Sequence, residues 1–243
     1  MGNNKTFVFI LGMHRSGTSA LAGSLQEQGV YLGQVYKENP FNKKGNRENP
    51  DVMNLNESVL EYNGGTWDNP PENITWSIEH ERIGQQIVES FLESTDKVYG
   101  FKDPRTLFTL KFWLEVFKSF FDIKYVGTFR HPLSVAKSLL NRNHMPIEDG
   151  INLWEIYNTR LHEIQHNTGF PLISFDVYAT EYKKAIEHVT DKLNIQKKTI
   201  KNNVFFDGSL RHYEDIENPI IPKRVLNLYQ KLQKTYQENR YDS

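Results

Sequence analysis

The amino-acid sequence predicts a three-layer α/β fold, a central parallel β-sheet flanked by helices, and three observations carry that expectation. Short β-branched and aromatic runs alternate with longer segments of helical periodicity, the rhythm that builds a parallel sheet through right-handed crossovers. The first run, Phe7-Val8-Phe9-Ile10-Leu11, is apolar without a break, as a strand covered on both faces requires. Residues that carry chemistry follow Leu11, Phe101 and Phe129, and ligands of such sheets bind beyond the carboxyl ends of the strands.

The elements follow in order. After Leu11 comes a glycine-punctuated turn, and Ala20 to Leu25 then reads as a helix ending near Gly29. Residues 33–75 are rich in Asn, Glu, Gly and Pro and read as a largely irregular insertion, the kind that covers a site. Within it, Val52, Leu55, Val59 and Leu60 fall at helical spacing and predict a short helix over Pro50 to Tyr62. Ile78 to Leu92 is an amphipathic helix, and Val98 to Phe101 is a second strand. Lys102-Asp103-Pro104-Arg105 leads into a helix through Phe117, and Ile123 to Phe129 is a third strand. Pro132 opens the next helix at a position where its missing N–H costs nothing. A helix from about Ile151 to Gln165, a strand over Leu172 to Phe175, a helix to about Leu193 and a helical stretch from Arg224 to Tyr236 complete the chain, which reads as one domain over residues 1–243.

Composition narrows the chemistry. Hydrophobic residues make up 38% and aromatics 13% of the 243 residues, enough for a packed core. The formal charge is -1, so no global basic field points to nucleic acid or an anionic membrane, and any anion site must be local. There is no cysteine, which removes thiolate catalysis and cysteine-ligated zinc. The short apolar start is too brief for a signal peptide or a membrane span. The expectation is a cytoplasmic protein.

Gly12-Met13-His14-Arg15-Ser16-Gly17-Thr18-Ser19 has the frame G-x-x-x-x-G-x-[ST] of a nucleotide phosphate loop, set between a strand and a helix. Glycines let backbone N–H groups turn inward on an anion, and the helix start adds its positive dipole end. A nucleoside-triphosphate enzyme needs Lys before the final hydroxyl residue; here that position is Thr18, and the cation sits three residues earlier as Arg15. A second anion site is suggested by Arg130-His131-Pro132 with Ser138, about 9 Å up the following helix. Arginine suits such a site because its planar fork holds phosphate oxygens in pairs.

Together these motifs resemble the sulfotransferases that use 3′-phosphoadenosine 5′-phosphosulfate (PAPS), nearest to the tyrosylprotein and bacterial types. The 5′-phosphosulfate loop of that family is similar to Arg15-Ser16-Gly17-Thr18-Ser19, and its 3′-phosphate motif to Arg130-His131-Pro132 with Ser138. Lys102-Asp103-Pro104 with Thr106-Leu107, and Ser174-Phe175-Asp176, resemble further family segments. The likeness covers residues 6–28 and 98–142. It implies a P-loop-like fold, PAPS as co-substrate, adenosine 3′,5′-bisphosphate (PAP) as product, no required metal, and an acceptor with a hydroxyl group.

The resemblance also implies roles. His14, Arg15, Ser16, Gly17, Thr18, Ser19, Arg130 and Ser138 bind the nucleotide, with Arg15 and Lys102 on the sulfuryl charge. The glycine-rich C-terminal segment of the cytosolic enzymes is missing, and Leu210-Arg211-His212 is the candidate to replace it. Their catalytic histidine has no clear counterpart. Some branches take the base from a glutamate after the first helix, and Glu48 occupies the comparable stretch; the alternative for Glu48 is an ordinary solvated charge, with His144 and His131 in reserve. Asp103 reads as a structural partner of Arg105 or a helix cap before Pro104. Tyr31, Tyr36, Trp67 and Trp76 are aromatic candidates either for an acceptor pocket or for packing. Two rivals remain open: a P-loop kinase of nucleotides or metabolites, and a non-catalytic nucleotide or glycan binder.

Overall fold

The structure, a computed structural model, describes residues 5–36, 45–195 and 220–241. Arg211, expected at the nucleotide, lies outside the described residues. Four strands, β1 (Thr6–Leu11), β2 (Val98–Lys102), β3 (Asp122–Phe129) and β4 (Leu172–Ser174), form one sheet in the order β2-β1-β3-β4. Every pairing is parallel. Eight helices accompany them among the described residues: α1 (Thr18–Glu27), α2 (Pro50–Tyr62), α3 (Ile78–Leu92), α4 (Thr106–Phe117), α5 (Pro132–Asn143), α6 (Ile147–Thr168), α7 (Ala179–Lys192) and α8 (Lys223–Tyr241).

Side-chain alternation along β1 divides the core in two. Phe7, Phe9 and Leu11 face a large cluster with α2 to α6 and α8, whereas Val8 and Ile10 face a smaller one with α1 and α7. A strand's period of two puts successive residues on opposite faces, so one unbroken apolar run serves both layers. On the larger side Phe7 stacks on Phe117 with ring centroids 4.4 Å apart, and Phe101 meets Trp113 edge-on at 5.0 Å. The three-layer α/β expectation is met.

The insertion is anchored through its helix. Asn49 caps α2 by accepting from the N–H groups of Asp51 and Val52, with Pro50 at the first helical position, where proline is preorganised. Asn56 is fully buried: its Oδ1 accepts from Thr109 Oγ1 at 2.6 Å and Trp113 Nε1 at 2.7 Å, and its Nδ2 donates to Thr106 Oγ1 at 3.2 Å. One amide thus ties α2 to α4 in the core, which the irregular composition around it did not announce.

Helix α6 starts at Ile147, four residues before the sequence-based start, because Glu148 and Asp149 fill its first turn and favour the positive dipole end. Register brings Ile10 beside Lys102 and Leu11 beside Gly127. The loop after β1, the end of β2 and the end of β3 therefore emerge along one edge of the sheet. Among the described residues no helix is long and apolar enough to cross a membrane.

Candidate active site

The loop between β1 and α1 is shaped by two glycines. Gly12 has φ +149°, and a Cβ there would lie 2.5 Å from the Thr128 carbonyl oxygen; Gly17 has φ +85°, and a Cβ would meet the Phe175 ring at 2.2 Å. Arg15 between them is also left-handed, at φ 64°, a conformation uncommon for a residue with a side chain. Thr128 Oγ1 donates to the Ser16 carbonyl at 3.1 Å and pins the loop to β3. Helix α1 starts at Thr18 with Gly17 as N-cap and no side-chain cap, so its first-turn N–H groups face the loop's hollow. Ser16 Oγ is buried and has no hydrogen-bond partner among the described residues.

Both sequence motifs meet here. Arg15 Nε donates to Ser138 Oγ at 2.8 Å, joining residues 123 positions apart. Ser138 is thus bonded by Arg15 rather than by Arg130. The Arg130 guanidinium lies 3.6 Å from Asp176 Oδ1, and its carbon sits over the Phe175 ring, 5.4 Å from the centroid. Arg130 is still close enough to act on Arg15, whose pKa is lowered to about 10 by burial, then by Arg142, then by Arg130. This is a concentration of buried positive charge.

Lys102, the last residue of β2, is 2% exposed, and its Nζ donates to Glu48 Oε1 at 2.6 Å. Glu48 is therefore a buried, paired carboxylate and not a solvated loop charge. The insertion is held over the phosphate loop by Ser19 Oγ donating to the Asn46 carbonyl at 3.0 Å. Asn46 Nδ2 in turn reaches Glu48 Oε2 at 3.5 Å.

Asp103 takes the structural role expected of it. Its Oδ1 accepts from the Arg105 backbone N–H and its Oδ2 from Arg105 Nη1, both at 2.8 Å, while Arg105 Nη2 donates to Glu57 Oε1 at 2.6 Å. Burial pushes the Asp103 carboxyl up to about 6, against the pull of Arg105.

These side chains line a cavity of about 250 Å³ that holds Arg15, Thr18, Ser19, Glu48, Lys102 and Arg105, with His14, Trp67 and Arg142 on its walls. His14 sits edge-on between Trp67 at 5.0 Å and Tyr157 at 5.8 Å, its Nε2 without a partner among the described residues. Burial, then the charges of Arg105, Arg142, Lys102 and Arg15, hold its pKa well below the ordinary value; it is neutral. The reserve histidines lie elsewhere. The His131 ring meets Tyr229 edge-on at 5.0 Å and its backbone N–H donates to Asp176. His144 is the exposed, left-handed C-cap of α5. Neither lines the cavity.

Of the four aromatic candidates only Trp67 reaches the cavity. Trp76 meets Phe112, Tyr31 packs on Phe91 and Tyr99, and Tyr36 is exposed. Sequence reasoning missed Arg142 and gave Arg105 no place in the cavity. Arg142 lies four residues past Ser138, one turn along the same face of α5, and that spacing is the signal that could have found it.

No protein-family profile matches the chain and no curated protein matches it by sequence. Solved structures do. The sulfotransferase domain of the olefin synthase from Synechococcus PCC 7002 superposes with a TM-score of 0.62 at 14% identity, over 96% of each chain. The sulfotransferase domain from the curacin biosynthetic pathway gives a TM-score of 0.59 at 14% identity, over 94% of this chain and 98% of its own. At that identity the agreement is one of backbone path over nearly the whole length, and it establishes that this chain has the fold of the sulfotransferase domains.

Proposed function

We propose that the protein is a sulfotransferase that moves a sulfuryl group from PAPS to a hydroxyl of an acceptor. The observation that carries this reading is the buried cationic cradle at the start of α1. A guanidinium with its pKa depressed to about 10, a buried serine hydroxyl without a partner among the described residues and a helix N-terminus with no side-chain cap converge there, and an anion would satisfy all three. Those residues fit the phosphosulfate of PAPS, which supplies an activated sulfuryl group. Arg130, over the Phe175 ring beside the loop, is the cation for the 3′-phosphate.

The rest follows from the charges available. In-line transfer forms the bond between acceptor oxygen and sulfur and breaks the bond from sulfur to the phosphate oxygen, leaving PAP. Arg15 and Lys102 stabilise the charge that gathers on the departing phosphate and the equatorial oxygens, as fixed cations do in a water-poor site. Glu48, at the cavity wall, takes the acceptor proton through Oε2, the oxygen that Lys102 leaves available. A side chain that cannot accept a proton there would not serve as base. The absence of cysteine suits work in a reducing compartment such as the cytoplasm.

The test is ligand discrimination followed by turnover. PAP raises the melting temperature more than AMP or ATP does, and Arg130→Ala removes about 1.5–3 kcal/mol of that preference, the worth of a charged hydrogen-bond partner. With labelled PAPS and hydroxylated acceptors, Glu48→Gln lowers kcat by about 10²–10⁴-fold while PAP still binds. Equal affinity for AMP and PAP would refute the assignment.

A further inference from the structure

The cavity's charges do not cancel, and the remainder points at the acceptor. Lys102 is already paired with Glu48 at 2.6 Å, and Arg105 with two carboxylates, Asp103 and Glu57, at 2.8 and 2.6 Å. Arg15 is committed to the phosphate loop and Ser138. Arg142 is left over. Its Nε donates to Asn143 Oδ1, and it pairs with no carboxylate among the described residues.

Arg142 is also held against an aromatic ring. Its guanidinium carbon lies over the Trp67 indole, 5.4 Å from the ring centroid, a cation–π contact that does not use up the N–H donors of the fork. The platform is immobilised in turn: the Trp67 carbonyl accepts from Tyr157 Oη at 2.6 Å, and its ring meets the edge of His14. Burial depresses the Arg142 pKa, Glu48 opposes that, and Arg105 adds to it. Arg142 thus shares the electrostatic neighbourhood of the proposed base, which is where an acceptor must lie. Apolar lining is confined to Met53, Trp67 and Pro104, and about 250 Å³ is small beside the usual ligand pocket of about 300–1,000 Å³.

We propose that the acceptor carries an oxyanion, such as a carboxylate, a few atoms from the hydroxyl that receives the sulfuryl group, and that Arg142 on its Trp67 platform binds it. The acceptor is a small hydroxy acid or the hydroxy-acid end of a longer molecule. This inference rests on the sulfotransferase reading above.

Calorimetry on PAP-saturated protein tests it with matched probes: 3-hydroxybutyrate against its amide, 4-hydroxyphenylacetate against its amide, and glycerol 3-phosphate against glycerol. At least one oxyanion binds about ten- to a hundred-fold more tightly than its neutral match, the range expected of a charge-assisted pair. The pair that discriminates tells a carboxylate from a phosphate. Arg142→Gln removes the discrimination, and Arg142→Lys, which keeps the charge but not the fork, retains part of it. If none of the oxyanions binds, if the neutral matches bind equally well, or if Arg142→Gln weakens PAP and leaves discrimination intact, the inference is overturned. Failure of PAP itself to bind would instead overturn the sulfotransferase reading.

Discussion

Removing Lys102 should damage the protein far more than a single surface charge would. Lys102 Nζ and Glu48 Oε1 are 2.6 Å apart, with side chains 2% and 11% exposed. At an effective dielectric near 20 the attraction over that distance is about 6 kcal/mol, most of it offset by the desolvation of both ions. Lys102→Met cancels the attraction and leaves Glu48 buried without a counter-ion, at a cost of about 3–5 kcal/mol. For a chain of 243 residues, with roughly 2–4 °C lost per kcal/mol, that is a fall in Tm of about 6–20 °C. Glu48→Leu strands the ammonium and costs a similar amount. The double variant replaces both charges by apolar groups and returns to within about 1 kcal/mol of the parent. Urea unfolding of the parent, both single variants and the double variant measures the coupling. Single costs below about 1 kcal/mol that simply add would refute the pair as a buried unit, and with it the argument that the insertion is tied to β2 through this contact.

Two further outcomes follow from the loop. Gly17→Ala places a methyl group against the Phe175 ring in a left-handed residue and destabilises by about 2 kcal/mol or more; an alanine variant within 0.5 kcal/mol by denaturant melt, on the order of an ordinary surface change, would contradict the loop geometry. His14 is neutral in the fold because burial and four cations depress its pKa, whereas in the unfolded chain it titrates near 6.5. Its contribution is therefore fully present above about pH 6.5 and is lost as pH falls toward the folded pKa, by up to about 1.4 kcal/mol per pH unit. His14→Gln flattens that part of the stability curve, and parallel curves for parent and variant between about pH 4.5 and 6.5 would show the histidine to be charged in the fold.

The strand–helix rhythm, the phosphate-loop frame and the second motif were legible in the sequence because each is local. A five-residue apolar run reports its own burial on two faces, and a glycine beside a helix start reports its own backbone. The arrangement around those motifs was not. Glu48 was singled out by the resemblance as a candidate base, but nothing within that aperiodic stretch marks it as the partner of a lysine 54 positions later. Ser138 was expected to share a ligand with Arg130, eight residues before it. It also takes a hydrogen bond from Arg15, across 123 positions, because the sheet order β2-β1-β3-β4 sets the loop after β1 beside β3 and the helix that follows it. Arg142 and Trp67 come together only because α5 and the insertion converge on the same edge. Periodicity records which face of an element is buried; which charges become neighbours depends on crossovers and on the path of an aperiodic segment. The sequence by itself therefore determined the fold class and the glycine-framed loop after β1, and the tertiary structure alone decided which cations pair with carboxylates and which do not.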